Sequence, residues 1–195
     1  MRITLLQSKK KALMLCRGKV LDIGAGAGPH SLALQERGLE VTAIDISPHA
    51  CEIMRKRGIK NIKCSTVYEL KEKKFDTILL MGRSIGFVEN LSGLKQFLIY
   101  CKDLLNPMGL ILFDSLDVRL TTSPIHLAYQ EENIKHGRYF GEIRLQIEYE
   151  DILGEKFQIL HIDPQTLKNI TNKLNWSCEI LCKEKNGIYL AKIFL

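Results

Sequence analysis

The segment Lys19-Val20-Leu21-Asp22-Ile23-Gly24-Ala25-Gly26-Ala27-Gly28-Pro29 constrains this chain more than any other. A short apolar run, consistent with a buried parallel strand (19–23), ends in three alternating glycines. Pro29 then suits the first turn of a helix, and Gly38 suits its end. Glycines at a strand exit let the backbone turn tightly and approach a ligand without Cβ clashes, while the helix start offers unpaired N–H groups.

The same strand-then-helix grammar continues to residue 114. EVTAID (40–45) reads as a second strand, and Ser47 as an N-cap before Pro48 opens a helix that Gly58 closes. NIKC (61–64) and FDTILL (75–80) read as the third and fourth strands. Leu94, Phe97, Leu98, Cys101, Leu104 and Leu105 recur at helical spacing, with Ser92 as the expected cap. Asn106-Pro107 stops that helix, and LILFD (110–114) supplies a fifth strand. Strands separated by helices of this length imply parallel pairing with right-handed crossovers, a doubly wound α/β sheet.

After Asp114 the pattern changes. Residues 115–137 lack a clear period and are expected to be loop with room for one helix. Tyr139, Gly141, Ile143, Leu145, Ile147 and Tyr149 then alternate with mostly polar neighbours, a strand with one wet face, and Gly154 turns it toward a partner near 157–162. This hairpin would wall the substrate side or mediate a homodimer. Asp163 and Pro164 start a last helix carrying Leu167, Ile170 and Leu174. Two closing strands, 178–183 and 187–194, meet at Asn186-Gly187. The chain is thus expected to be one Rossmann-like domain over 1–195, with a cofactor-binding core (19–114), a substrate-side insertion (115–163) and a closing helix and strand pair (164–195).

Composition narrows the class. Hydrophobic residues at 46% and charged residues at 26% describe an ordinary globular chain. No apolar run approaches the ~18–20 residues of a membrane span. The opening MRITLLQSKKKALMLC lacks the order of a signal peptide, so a cytoplasmic protein without membrane contact is expected. The six cysteines form no CxxC pair. Cys178 and Cys182, ~13 Å apart along a strand, cannot bridge, so neither a metal nor a redox dithiol is expected. The net charge of +6 gathers at Lys9–Lys11, Arg55–Arg57 and Lys71, Lys73 and Lys74. Helix ends and loops commonly carry such lysines, so nucleic acid is not the favoured partner.

Asp45 lies at the end of the second strand, where a carboxylate can accept hydrogen bonds from both hydroxyls of a ribose. Together with the glycine loop it points to a nucleoside-containing cofactor. The dinucleotide fingerprint G-x-G-x-x-G fails, because Pro29 occupies its last position. Asp22, inside the strand end, would sit awkwardly beside a pyrophosphate but suits a ligand bearing an ammonium or sulfonium. His30 would neighbour that cofactor without acting chemically. Arg83 and Ser84 follow the fourth strand; Arg83 is either a bidentate ligand for a substrate carboxylate or phosphate or an exposed loop arginine. Asp114 either reaches substrate or caps the next turn. His126, His136 and His161 read as surface or strand histidines rather than bases.

The blocks LDIGAGAG, VTAIDIS, FDTILLMG and LLNPMGLILFD, taken in order, resemble the class I S-adenosylmethionine-dependent methyltransferase superfamily over residues 19–114. The resemblance implies a seven-stranded sheet with its last strand inserted antiparallel, and S-adenosylmethionine as cofactor. It would place Asp22, Gly24, Ala25, Gly26 and Gly28 around the methionine part, Asp45 on the ribose and Ile46 against the adenine. Thr66 and Val67 would flank the adenine, and Met81 and Gly82 would line the cofactor. Thr66 stands where many members carry an acid. Only 18 residues precede Lys19, fewer than in many members, so the site is expected to be open, shared with a partner chain, or inactive. No [N/D/S]-P-P-[Y/F/W] motif, Pro-Cys nucleophile or catechol-type metal carboxylate follows the fourth strand, which favours a small-molecule acceptor. A noncatalytic methyltransferase-like module is the alternative; an NAD-type oxidoreductase or an RNA methyltransferase is less favoured.

Overall fold

The computed structural model describes residues 7–70 and 74–195. Lys71 and Lys73 of one basic cluster, and the first six residues of the opening segment, lie outside the described residues. The elements run α1 (Gln7–Leu15), β1 (Lys19–Ile23), α2 (Pro29–Glu36), β2 (Glu40–Asp45), α3 (Pro48–Lys56) and β3 (Asn61–Cys64). They continue with β4 (Phe75–Leu80), α4 (Leu91–Leu104), β5 (Leu105–Leu116), α5 (Pro124–Lys135) and β6 (Glu142–Tyr149). The chain closes with β7 (Ile152–Leu160), α6 (Pro164–Lys173), β8 (Ser177–Lys183) and β9 (Ile188–Phe194).

Seven strands form one sheet in the order β3-β2-β1-β4-β5-β9-β8, and β6 and β7 form a separate antiparallel hairpin. The β1–β2, β1–β4, β2–β3 and β4–β5 pairs are parallel; β9 runs antiparallel to both β5 and β8. This is the doubly wound, mostly parallel sheet expected from the motif order, with the last strand inserted in reverse and the extra hairpin before the last helix.

The strands read as apolar runs because both faces are covered. Along β5, Ile111 and Phe113 join the cluster that α4 and α6 cover with Leu94, Phe97, Leu98 and Leu167. Leu110 and Leu112 face the opposite cluster, which holds Ala12 of α1 and Leu34 of α2. The α4 stripe Leu94, Phe97, Leu98, Cys101 and Leu104 is wholly buried, and each large side chain in it contributes about 2 kcal/mol of burial.

Some local expectations change, and the room left for one helix in 115–137 is filled. Asn90, not Ser92, caps α4: its Oδ1 accepts from the Gly93 N–H at 2.9 Å. The Ser84–Val88 3-10 turn delivers the chain two residues earlier than the apolar stripe suggests. Strand β5 starts at Leu105, because Leu105 already pairs with Phe75 before residues 106–109 loop out and Leu110 pairs with Thr77. The stretch 115–137 holds one real helix, α5, whose only buried residue is Asn133. Its Nδ2 donates to the Glu142 carbonyl at 2.7 Å, so α5 docks through a polar contact that leaves no apolar period. Helix α1, unanticipated, buries only Ser8 and Ala12.

The insertion is tied to the sheet by a polar knot. Arg119 donates to both oxygens of Asp117, at 2.8 and 2.7 Å, and reaches Asp163 at 3.1 Å. Tyr139 Oη donates to Asp163 Oδ2 at 2.7 Å and accepts from the Asp163 N–H at 2.8 Å. Among the described residues no helix is long and apolar enough to cross a membrane.

Candidate functional site

Strands β1 and β4 are neighbours, yet the chain leaves β1 toward β2 and β3 and leaves β4 toward β5 and β9. Such a reversal opens a crevice beyond the carboxyl ends of the two strands. The glycine loop forms one wall. Gly24, Gly26 and Gly28 have φ of 68°, 58° and 72°, left-handed values that glycine adopts without strain. Gly24 is pressed against Ser84 and Gly28 against Ile59 and Met54, so packing excludes a side chain at both. At Gly26, and at Gly82 after β4, nothing lies within 4 Å of where a Cβ would stand. Those two stretches of bare backbone face open space.

Two carboxylates meet this loop. Asp22 is 1% exposed and accepts from Ser31 Oγ at 2.6 Å. Burial lifts its pKa from 3.8 to about 6, against the Ser31 hydrogen bonds and with help from the Asp45 charge. Asp45, half-buried, accepts from the Gly26 N–H at 2.8 Å through Oδ2 and from the Ser47 N–H at 2.9 Å through Oδ1. It therefore ties the loop to the end of β2, a partner that its position in the chain does not reveal. Each oxygen keeps a second lone pair. Beside it Ile46 is 73% exposed, an apolar surface at the crevice rim.

The other candidates separate into groups. Ala25 is buried under α3 with Cys51 and Met54. Val67 and Met81 turn their side chains into the core, leaving only backbone toward the crevice. The Thr66 N–H and hydroxyl both lie on Glu69 Oε2, at 2.7 and 3.2 Å. An acid therefore stands at the position where Thr66 itself lacks one; the T-x-x-E spacing was its signal. His30 is half-buried, and burial followed by the Lys9 charge lowers its pKa. Ser84 Oγ lies 3.1 Å from the carbonyl oxygens of both Ile23 and Met81, bridging the β1 and β4 exits. Asp114, 2% exposed, accepts from the Arg83 N–H at 2.6 Å and from the Gly82 N–H, and burial raises its pKa. It holds the left-handed Gly82-Arg83 turn through those two amides. The Arg83 side chain is exposed at the rim.

Two cavities lie on the hairpin side of the sheet, and one of them is lined by this turn. One, about 490 Å³, lies between the end of β5, α5 and the hairpin, lined by Leu116, Val118, Ile125, Tyr129, Phe140 and Ile143 among others. The second, about 380 Å³, is lined by Gly82, Arg83, Ile143, Leu145, Ile159 and His161. Ile143, Leu145 and His161 belong to both. Arg83, Gly82 and the hairpin were candidates from the sequence, whereas Leu116, Val118, Ile125 and Tyr129 carried no sequence signal. Among the described residues no group of three or more His, Cys, Asp or Glu side chains is placed to hold a metal ion.

A twisted sheet of this order with a glycine-and-carboxylate crevice at its switch point defines the nucleoside-binding α/β enzymes. Comparison with known proteins narrows that class. A family profile described as a methyltransferase domain matches residues 20–109. A SAM-dependent methyltransferase from Bacteroides fragilis, solved with S-adenosyl-L-homocysteine, superposes with a TM-score of 0.84 and 35% identity, covering 100% of this chain and 79% of that one. The demethylmenaquinone methyltransferase of Tropheryma whipplei (strain Twist) is 31% identical over 117 residues, 57% of this chain and 47% of that protein. The ubiquinone biosynthesis O-methyltransferase of Actinobacillus pleuropneumoniae serotype 5b is 30% identical over 121 residues, 56% and 50% of the two chains. This chain spans about half the length of these curated relatives. It belongs to the S-adenosylmethionine-dependent methyltransferases.

Proposed function

We propose that the crevice between β1 and β4 binds S-adenosylmethionine and that the chain transfers its methyl group to a small-molecule acceptor held in the adjoining apolar cavity. The observation that carries this is the shared wall. The Gly82-Arg83 turn stands beside the glycine loop, and it also lines the hollow that shares Ile143, Leu145 and His161 with the larger cavity. The cofactor, when bound, supplies a methyl group already activated by its sulfonium, so the protein's contribution is positioning and exclusion of water.

The residues fit that cofactor. The open backbone at Gly26 and Gly82 admits a ligand where a side chain would intrude. Asp22 sets a negative charge behind the loop for a cationic methionine moiety, with Gly24, Ala25 and Gly28 shaping the turn and His30 alongside. Asp45 offers its two remaining lone pairs to the ribose hydroxyls. Ile46 supplies an apolar face for the adenine, and Glu69, fastened to Thr66, supplies the nearby acid. Val67 and Met81 contribute backbone alone. Arg83 and Ser84 stand at the passage to the acceptor. The quinone-pathway names of the curated relatives support an acceptor of small-molecule size.

Isothermal titration with S-adenosylmethionine and S-adenosylhomocysteine tests the reading. Wild type should bind with dissociation constants on the order of micromolar, and Asp45→Ala should bind at least ~10-fold more weakly, about 1.4 kcal/mol. Equal affinity in both proteins removes Asp45 from the site, and absence of binding to wild type ends the reading. Labelled-methyl transfer to a small-molecule extract then addresses the acceptor.

A further inference from the structure

His161 is 7% exposed, and its Nδ1 is buried with no hydrogen-bond partner among the described residues. A buried polar atom left unpaired costs about 1–3 kcal/mol, so such an atom points to something that satisfies it or its ring. The ring stands where the two cavities join, beside the rim that carries Arg83. Burial, and then the Arg83 charge, pull its pKa down to about 4, so the imidazole is neutral at neutral pH.

Its backbone is held with unusual thoroughness. The His161 N–H donates to the Gly141 carbonyl at 2.8 Å, and a Cβ on Gly141 would stand 1.9 Å from the His161 carbonyl oxygen. The next residue, Ile162, donates through its N–H to Ser115 Oγ at 3.1 Å and accepts from Tyr189 Oη at 2.7 Å. Three partners, Gly141, Ser115 and Tyr189, thus pin the backbone that carries this imidazole, at one of the three residues the two cavities share. Pre-organisation of this kind is what a ligand-orienting side chain needs.

The surroundings restrict the ligand. The larger cavity offers apolar and aromatic walls suited to a flat ring. Arg83 and Arg144 line the cavities and disfavour an ammonium, while Asp117, the lining acid, is already held by Arg119. A hydroxyl both donates and accepts, so it pairs with the imidazole in either tautomer. The Arg83 charge favours ionisation of a weakly acidic one.

We infer that His161 engages the methyl acceptor directly, and that the acceptor presents it with a phenol-type hydroxyl on an apolar ring body. This inference rests on the methyltransferase reading of the same site. Two probes of matched shape test it, 2-naphthol and its methyl ether 2-methoxynaphthalene, titrated by fluorescence into full-length protein. Wild type should prefer the naphthol about tenfold, the worth of one buried hydrogen bond. His161→Phe, which keeps the ring volume, should bind both probes equally and keep wild-type affinity for S-adenosylmethionine. Should that protein fail to fold, His161→Gln should cut the preference to about threefold or less. An unchanged preference in either variant overturns the inference, as does a wild type that fails to discriminate or binds neither probe up to its solubility limit. Failure of S-adenosylmethionine to bind wild type would instead overturn the methyltransferase reading while leaving the naphthol preference standing.

Discussion

Replacing Asp22 by asparagine separates what this carboxylate does for binding from what it costs the fold. The side chain is 1% exposed and accepts from the Ser31 hydroxyl and backbone N–H, too little to replace water around its charge. The folded pKa of about 6 exceeds the ordinary 3.8, so the folded state holds the proton more tightly than the unfolded chain. The contribution of this carboxylate to stability therefore falls as pH rises from about 4 to about 6 and is level above that. At about 1.4 kcal/mol per pKa unit, the charge costs the apo fold about 3 kcal/mol at neutral pH. Asparagine removes that cost and weakens the Ser31 hydrogen bond by about 1 kcal/mol, since the bond loses its charged partner. Asp22→Asn should thus be about 1–2 kcal/mol more stable than wild type in urea at pH 7.5, and no more stable at pH 4. The same substitution should weaken S-adenosylmethionine binding about tenfold at pH 7.5, and wild-type affinity should decline as pH falls through about 6 while the variant's stays level. An Asp22→Asn protein that is less stable than wild type at pH 7.5, or whose advantage is the same at both pH values, refutes the account of a buried, costly charge.

Three further outcomes follow from the packing. Leu98→Ala, at a fully buried site of α4, should lower stability by about 2–5 kcal/mol in urea unfolding, with the slope unchanged. Gly141→Ala sets a methyl group against the His161 carbonyl, so it should cost about 2 kcal/mol or more in the same assay and abolish the naphthol preference. Arg119→Ala leaves the buried Asp163 without its guanidinium; it should cost about 1–2 kcal/mol and accelerate hydrogen exchange in β6 and β7 ahead of the central strands.

The sequence alone determined the strands of the sheet and the head of the crevice, because their signals are local. A left-handed turn needs glycine at Gly24, Gly26 and Gly28, Ser47 and Pro48 announce a helix start, and a strand covered on both faces must be apolar along its length. Tertiary structure decided the rest. The bounds of α5 were hidden because it docks through Asn133, and β5 was longer than its apolar core because Leu105 pairs with Phe75 across a looped-out turn. Asp45 was legible as a carboxylate at a strand end, but its bonds to Gly26 and Ser47 depend on how the loop returns to β2. Asp114 and His161 show the same limit in opposite directions. One looked like a free strand-end carboxylate and is tied to two backbone amides; the other looked ordinary and lines two cavities with its Nδ1 unpaired among the described residues. A side chain's chemistry is written in the chain, whereas its partners, burial and charge neighbours come from residues distant in sequence, and those set what it can do.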